Sequence, residues 1–341
     1  MKILFIGGYG NISWYCTKKA IALGHEVYLL NRDLKSGTRR EIPKEAKLIH
    51  ADIRNICECK KALENYHFDV VCDFLCYNGE QAKTAIELFN GKTKQYIYIS
   101  SDALYKKPDK DGLFRETSEQ YKLGEGSDYI NGKIEAEIEF QKAYHNINFP
   151  ITIVRPSYTY DTILLYSIGY NCYTTVQRCL EGKPLLMAGN GNNLWTFTHS
   201  KDFANVFVQL FGKPESIGET YQISGDTVES FNYVMKTLLK ICGLKKIKVI
   251  HIPKEELLNQ KEFPLIEILQ RTENRLFDTS KIKKLVPNWK TEVTIEQGLK
   301  ETIDWLNENP KRKRFVPAIN EKLEKLTEQF KKYEKEFIIN E

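Results

Sequence analysis

The strongest constraint on this chain lies in its first two dozen residues. A short β run, residues 2–6, ends on Gly7-Gly8-Tyr9-Gly10-Asn11-Ile12-Ser13, and helical spacing follows over 12–23. The alternation then continues, with β runs at 26–30, 46–50, 68–72 and 95–100 and helix-like stretches such as 81–89 between them. Strands separated by helices pair in parallel through crossover connections, so the pattern predicts a parallel sheet with helices on both faces. The fixed hand of those crossovers makes the α/β fold doubly wound, with the ligand at the carboxyl ends of the strands.

The glycine-rich turn sits at such an end. Gly7 permits the tight turn, and Gly10 lets the backbone approach a pyrophosphate on the N-terminus of the next helix, with Asn11 and Ile12 beside it. Ser13 stands where a third glycine is usual, so the spacing is G-x-x-G-x-x-S. A dinucleotide-binding Rossmann domain is therefore expected. At the tip of the second strand Asn31-Arg32, with Lys35, Arg39 and Arg40 nearby, suits a 2′-phosphate and favours NADP over NAD, while the acid Asp33 that follows points the other way, to the 2′-hydroxyl of NAD. Asp52-Ile53 is placed to flank the adenine.

Two further pieces follow in order. Ser100-Ser101 closes the run at 95–100, and Tyr129-Ile130-Asn131-Gly132-Lys133 opens a helical stretch. Tyr-x-x-x-Lys occurs twice, about as often as chance supplies it. Tyr15 and Lys19 fall inside the helix after the glycine turn, so position singles out Tyr129 and Lys133. A phenol ordinarily titrates near ~10. A lysine one helical turn away lies on the same face, and its charge favours the phenolate. Tyr129 is then the proton-transfer group, Lys133 its electrostatic support, and Ser101 a hydrogen-bond donor to the reacting oxygen.

Jointly these residues resemble the extended short-chain dehydrogenases/reductases, the NAD-dependent epimerase/dehydratase group. The resemblance runs from residue 1 to about residue 309, and also rests on Val154-Arg155-Pro156, Thr198-His199-Ser200-Lys201-Asp202 and Asp278-Thr279-Ser280-Lys281. It implies catalysis by Ser101, Tyr129 and Lys133 on a hydroxyl or ketone of a carbohydrate, first of all a nucleotide sugar. It also implies a homodimer built through the helix that carries the Tyr/Lys pair. Asp102 matches an acid of the 4,6-dehydratases, but Ala103 replaces their glutamate, which argues against dehydration. Trp195 stands where many sugar-nucleotide members carry a diphosphate-binding arginine, leaving Arg178, Arg271 or Arg275 to compensate. Tyr158, Arg178 and Trp195, with Asp102, are the substrate candidates. The alternatives are a reductase of a non-nucleotide alcohol or ketone, and a catalytically silent member that binds RNA, as chloroplast stem-loop-binding relatives of the fold do.

The organisation expected is a dinucleotide-binding domain over 1–160, to which 198–230 returns, a substrate lobe from 161–197 and 231–310, and a charged amphipathic helix in 311–341. The 50 basic and 45 acidic residues balance too closely to point to nucleic acid. No apolar run is long enough to span a bilayer, and the chain opens without leader features, which predicts a cytoplasmic protein. None of the eight cysteines falls in C-x-x-C units that close a zinc site, so no metal is expected and all read as reduced thiols.

Overall fold

Strand β1 (Lys2–Ile6) sends Ile3 and Phe5 into one hydrophobic cluster and Leu4 and Ile6 into another. Only a strand inside a sheet covered on both faces reads as an unbroken apolar run. The computed structural model describes residues 1–32, 40–260 and 265–339. After β1 come α1 (Ser13–Ala22), β2 (Glu26–Asn31), β3 (Lys47–His50), α2 (Ile56–Ala62), β4 (Phe68–Asp73), α3 (Gly79–Phe89), β5 (Thr93–Ile99), β6 (Leu113–Phe114), α4 (Asp128–Ile147), β7 (Ile151–Pro156) and β8 (Tyr158–Tyr160). They are followed by α5 (Thr174–Leu180), β9 (Leu185–Ala188), β10 (Leu194–His199), α6 (Ser200–Phe207), β11 (Thr220–Ile223), β12 (Val228–Ser230), α7 (Phe231–Ile241) and β13 (Lys246–Ile252). The last are α8 (Lys254–Leu257), α9 (Leu265–Gln270), β14 (Leu276–Phe277), α10 (Ser280–Leu285), α11 (Ile295–Glu308), α12 (Pro317–Gln329) and β15 (Glu334–Ile338).

Two units divide the chain. The first comprises Met1–Thr159, Ser200–Gly225 and Phe277–Lys290. Its sheet has the order β11-β7-β5-β4-β1-β2-β3, every neighbouring pair parallel. The order reverses between β1 and β4, the switch point at which open α/β sheets bind ligands. The doubly wound Rossmann fold expected from the strand–helix alternation is the fold observed.

The second unit comprises Tyr160–His199, Asp226–Leu276 and Thr291–Glu341. Here β13 pairs in parallel with β9 and antiparallel with β15, over a core that includes Ile168, Leu186, Ile250, Leu323 and Phe330. Two expectations fail in it. The spacing over 163–182 predicts a helix, but only α5 is helical there, and Gly169 at φ +157° lies outside helical backbone and interrupts the run. The C-terminal helix ends at Gln329, and 334–338 forms a strand. The open edge of β13 needs partners for its backbone groups, and β15 supplies them together with the Lys246–Glu336 and Lys248–Glu334 pairs, at 2.9 and 2.7 Å. Among the described residues no helix is long and apolar enough to cross a membrane.

Candidate active site

The glycine turn closes as its residue types require. Gly7 has φ +79°, and the Ser13 hydroxyl donates to its carbonyl at 2.6 Å while accepting from Gly10 N–H at 2.9 Å. The glycine that brings helix close to sheet is Gly8, where a Cβ would lie 2.5 Å from Leu29 and 2.8 Å from Phe5. Ser13, at the position where a third glycine is usual, instead locks the turn through its hydroxyl. Among the described residues, only the Ser13 hydroxyl (3.4 Å) and the Gly7 carbonyl (3.9 Å) come within 4 Å of a Cβ placed on Gly10, so they leave this side of the turn open. Helix α1 starts after Ile12 without a side-chain cap or a first-turn acid, a helix start that suits an anion, although Trp14 N–H is taken by the Gly10 carbonyl at 3.2 Å. Asn11 ties the turn to β8 by donating to the Thr159 carbonyl at 3.0 Å.

At the tip of β2 the Asn31 side chain is buried, and its amide nitrogen has no partner among the described residues. Arg32 is exposed and lies 3.5 Å from the Asp52 carboxylate, whose other oxygen accepts from Arg54 N–H. Ile53 packs partly buried against the core. Asp33, Lys35 and Arg39 lie outside the described residues. An open turn, an uncapped helix start and a buried amide lacking a partner form a cradle that fits a dinucleotide.

The Tyr/Lys pair is carried by α4. Ser127 caps the helix by accepting from Ile130 N–H, and Asn131 braces the loop before it, bonding Gly124 N–H (2.9 Å), Gly126 N–H (3.3 Å) and the Gly126 carbonyl (2.8 Å). Tyr129, in the first turn, is 43% exposed, whereas Lys133 is 2% exposed. The Lys133 ammonium donates to the carbonyls of Cys76 and Ile99, each at 2.7 Å, and so links α4 to the ends of β4 and β5. Its distance to the Tyr129 ring centroid is 6.0 Å. Burial pulls the Lys133 pKa down to about 8, against the pull of Cys76, Asp73 and Glu137. Ser101 is buried two residues beyond Ile99, and its oxygen accepts from Ala103 N–H at 3.1 Å. Asp102 and Ala103 follow in a single 3-10 turn.

Three supporting features were not read from the sequence. Glu137, one turn beyond Lys133, accepts from Ser100 (2.5 Å) and grips buried Arg155 at 2.9 and 2.5 Å. Asp73, at the end of β4, accepts from Tyr96 and from the N–H groups of Leu75 and Cys76, and burial raises its pKa. Gly132 lets α4 close on the β4–α3 loop, since a Cβ there would strike the Tyr77 carbonyl. The four-residue spacing of Lys133 and Glu137 was the one available signal.

The remaining candidates divide by unit. Tyr158 lies half-buried in β8 of the first. In the second, Arg178 is buried against α12, bound by Asn320 (2.8 Å), Thr327 (3.0 Å) and Glu324. It is a fastening for the C-terminal helix and not the substrate contact expected. Trp195 is packed on Phe231 at 5.3 Å, donates to the Glu273 carbonyl at 2.9 Å, and has the Arg275 guanidinium 5.8 Å from its ring.

The fold and the turn define a protein of the dinucleotide-binding Rossmann class, with Tyr129 and Lys133 on one helix beside the ends of β4 and β5. The profile of the NAD dependent epimerase/dehydratase family matches residues 3–224, and the chain belongs to that family. It is 27% identical over 316 residues to the chloroplast stem-loop binding protein of 41 kDa b from Arabidopsis thaliana, covering 88% of this chain and 78% of that one. It is 26% identical over 332 residues to a UDP-N-acetyl-alpha-D-glucosaminuronate decarboxylase from Bacillus cytotoxicus, covering 90% and 98%. Among solved structures, UDP-glucuronic acid 4-epimerase from Bacillus cereus in complex with NAD superposes with TM-score 0.70 at 21% identity, over 90% of this chain and 99% of that one.

Proposed function

We propose that this protein is an NAD(P)-dependent epimerase or reductase acting on a hydroxyl or ketone of a sugar, a nucleotide sugar first of all. The observation that carries the reading is the buried Lys133 ammonium, pinned by the Cys76 and Ile99 carbonyls one helical turn from the exposed Tyr129 phenol. In the oxidative direction Tyr129 takes the proton of the substrate hydroxyl, Lys133 favours the phenolate, and Ser101 donates to the reacting oxygen. Gly7, Gly10 and the start of α1 hold the pyrophosphate, and Asp52 meets the adenosine end. Hydride transfer is the chemistry that a bound nicotinamide supplies. Asn31 and Arg32 support NADP, although Arg32 is drawn toward Asp52.

Ala103 following Asp102 supports epimerisation or reduction over dehydration. A groove of about 500 Å³ along α4, lined by Ile134, Ile138 and His145 among others, supports a homodimer through that helix.

Mass spectrometry of small molecules released on denaturation, followed by calorimetric titration of NAD and NADP, tests the reading. Retained dinucleotide supports an epimerase, exchangeable binding a reductase, and no binding of either overturns both. The likeness to the stem-loop binding protein favours a second reading, RNA binding. Against it, Arg312 in the basic segment 311–314 is folded onto the Trp305 ring at 4.5 Å and paired with Glu308. A stem-loop RNA that binds while both dinucleotides fail would establish this second reading.

A further inference from the structure

The Lys133 ammonium is surrounded by rings. Its nitrogen lies 4.9 Å from the Tyr98 centroid and 4.8 Å from that of Tyr77, as well as 6.0 Å from Tyr129. A cation within about 6 Å of an aromatic face is attracted by the ring's negative charge density, most strongly where water is excluded. Lys133 is 2% exposed and Tyr98 fully buried, so here it is excluded. The Tyr98 hydroxyl has no hydrogen-bond partner among the described residues, an orphan that a buried polar group seldom remains without a reason.

We propose that Tyr98 and Tyr77 are positioning residues for Lys133: their rings hold the ammonium between β5 and the loop after β4, and Tyr98 acts through its ring, not its hydroxyl. Two of the three ammonium donors go to the Cys76 and Ile99 carbonyls. The rings occupy flanks where a carboxylate would bind the ammonium outright and take the third donor. That donor is thereby kept for a bound molecule. The other titratable groups facing the ammonium are Asp73 and Cys76 from β4 and its following loop, and Tyr129 and Glu137 from α4 itself. Gly132 completes the arrangement by letting Tyr77 approach.

This inference rests on the proton-transfer role proposed for Lys133, but its test does not need turnover. The full chain labelled with ¹³C at lysine Cε is titrated by NMR, the Lys133 resonance being identified by its loss in Lys133→Met. The wild-type midpoint is expected near about 8. Tyr98→Leu and Tyr77→Leu each lower it by about one pH unit, whereas Tyr98→Phe leaves it in place. Should Tyr98→Leu fail to fold, Tyr77→Leu, on a 40% exposed residue, carries the same measurement. An unmoved midpoint in the leucine variants, or an equal shift in Tyr98→Phe, overturns the proposal. The expected midpoints in a protein that binds neither dinucleotide would uphold the ring cage and reject the enzyme reading.

Discussion

At the residue scale the site depends on keeping a positive charge where water does not reach. In the mechanism proposed above the phenol moves a proton and does not hold the pyrophosphate, so Tyr129→Phe should abolish turnover with dinucleotide affinity nearly unchanged; kinetics beside calorimetry check both halves. Activity should fall as pH rises through about 8, where Lys133 loses its proton and its support of the phenolate. The sign for stability is opposite. The folded pKa of Lys133 lies below the ordinary lysine value, so between about 8 and that value the unfolded chain binds the extra proton. Over that window this group makes the fold more stable as pH rises, and denaturant titrations across it in wild type and Lys133→Met should differ in slope.

At the scale of the element, α4 is placed by contacts that its own sequence only partly announces. The Tyr/Lys spacing was legible, because it is local to one helix; the Ser127 cap, equally local, was not read. The closeness of α4 to the β4–α3 loop was not, because Gly132 reads as an ordinary helix-weakening residue until Tyr77, far away in sequence, is seen against it. Gly132→Ala should cost roughly 1–3 kcal/mol in thermal unfolding through overpacking, and should lower kcat by moving Lys133 off the Cys76 carbonyl. Glu137→Ala removes the carboxylate that neutralises buried Arg155. It should cost about 3–5 kcal/mol, the usual result of leaving one member of a buried pair alone, and unfolding midpoints report it.

For the whole molecule, the C-terminal segment is a working part of the second unit. Arg178 on α5 binds α12 through Asn320, Glu324 and Thr327, and β15 closes the edge of β13. Glu324→Ala should cost about 1.5–3 kcal/mol, the range for a hydrogen bond to a charged group. Its pKa is held below the usual carboxylate value by Arg178, so the contribution is full at neutral pH and is lost as pH falls through that lowered value. A denaturant series at pH 7 and in acid should show the variant's deficit shrinking in acid.

The chain's order of apolar runs and glycines determined the doubly wound sheet, the turn at Gly7 and Gly10, and the Tyr129/Lys133 pair. Each of these is encoded by local spacing: a strand buried on both faces is continuously apolar, a left-handed turn wants glycine, and four residues make one helical turn. Only the tertiary structure decided that Gly8 rather than Ser13 makes the close helix–sheet contact, that Arg178 fastens α12, that 334–338 is a strand, and that tyrosine rings enclose Lys133. Those outcomes join residues distant in sequence, and which of several equally basic or aromatic side chains is used depends on what the folded backbone sets opposite it.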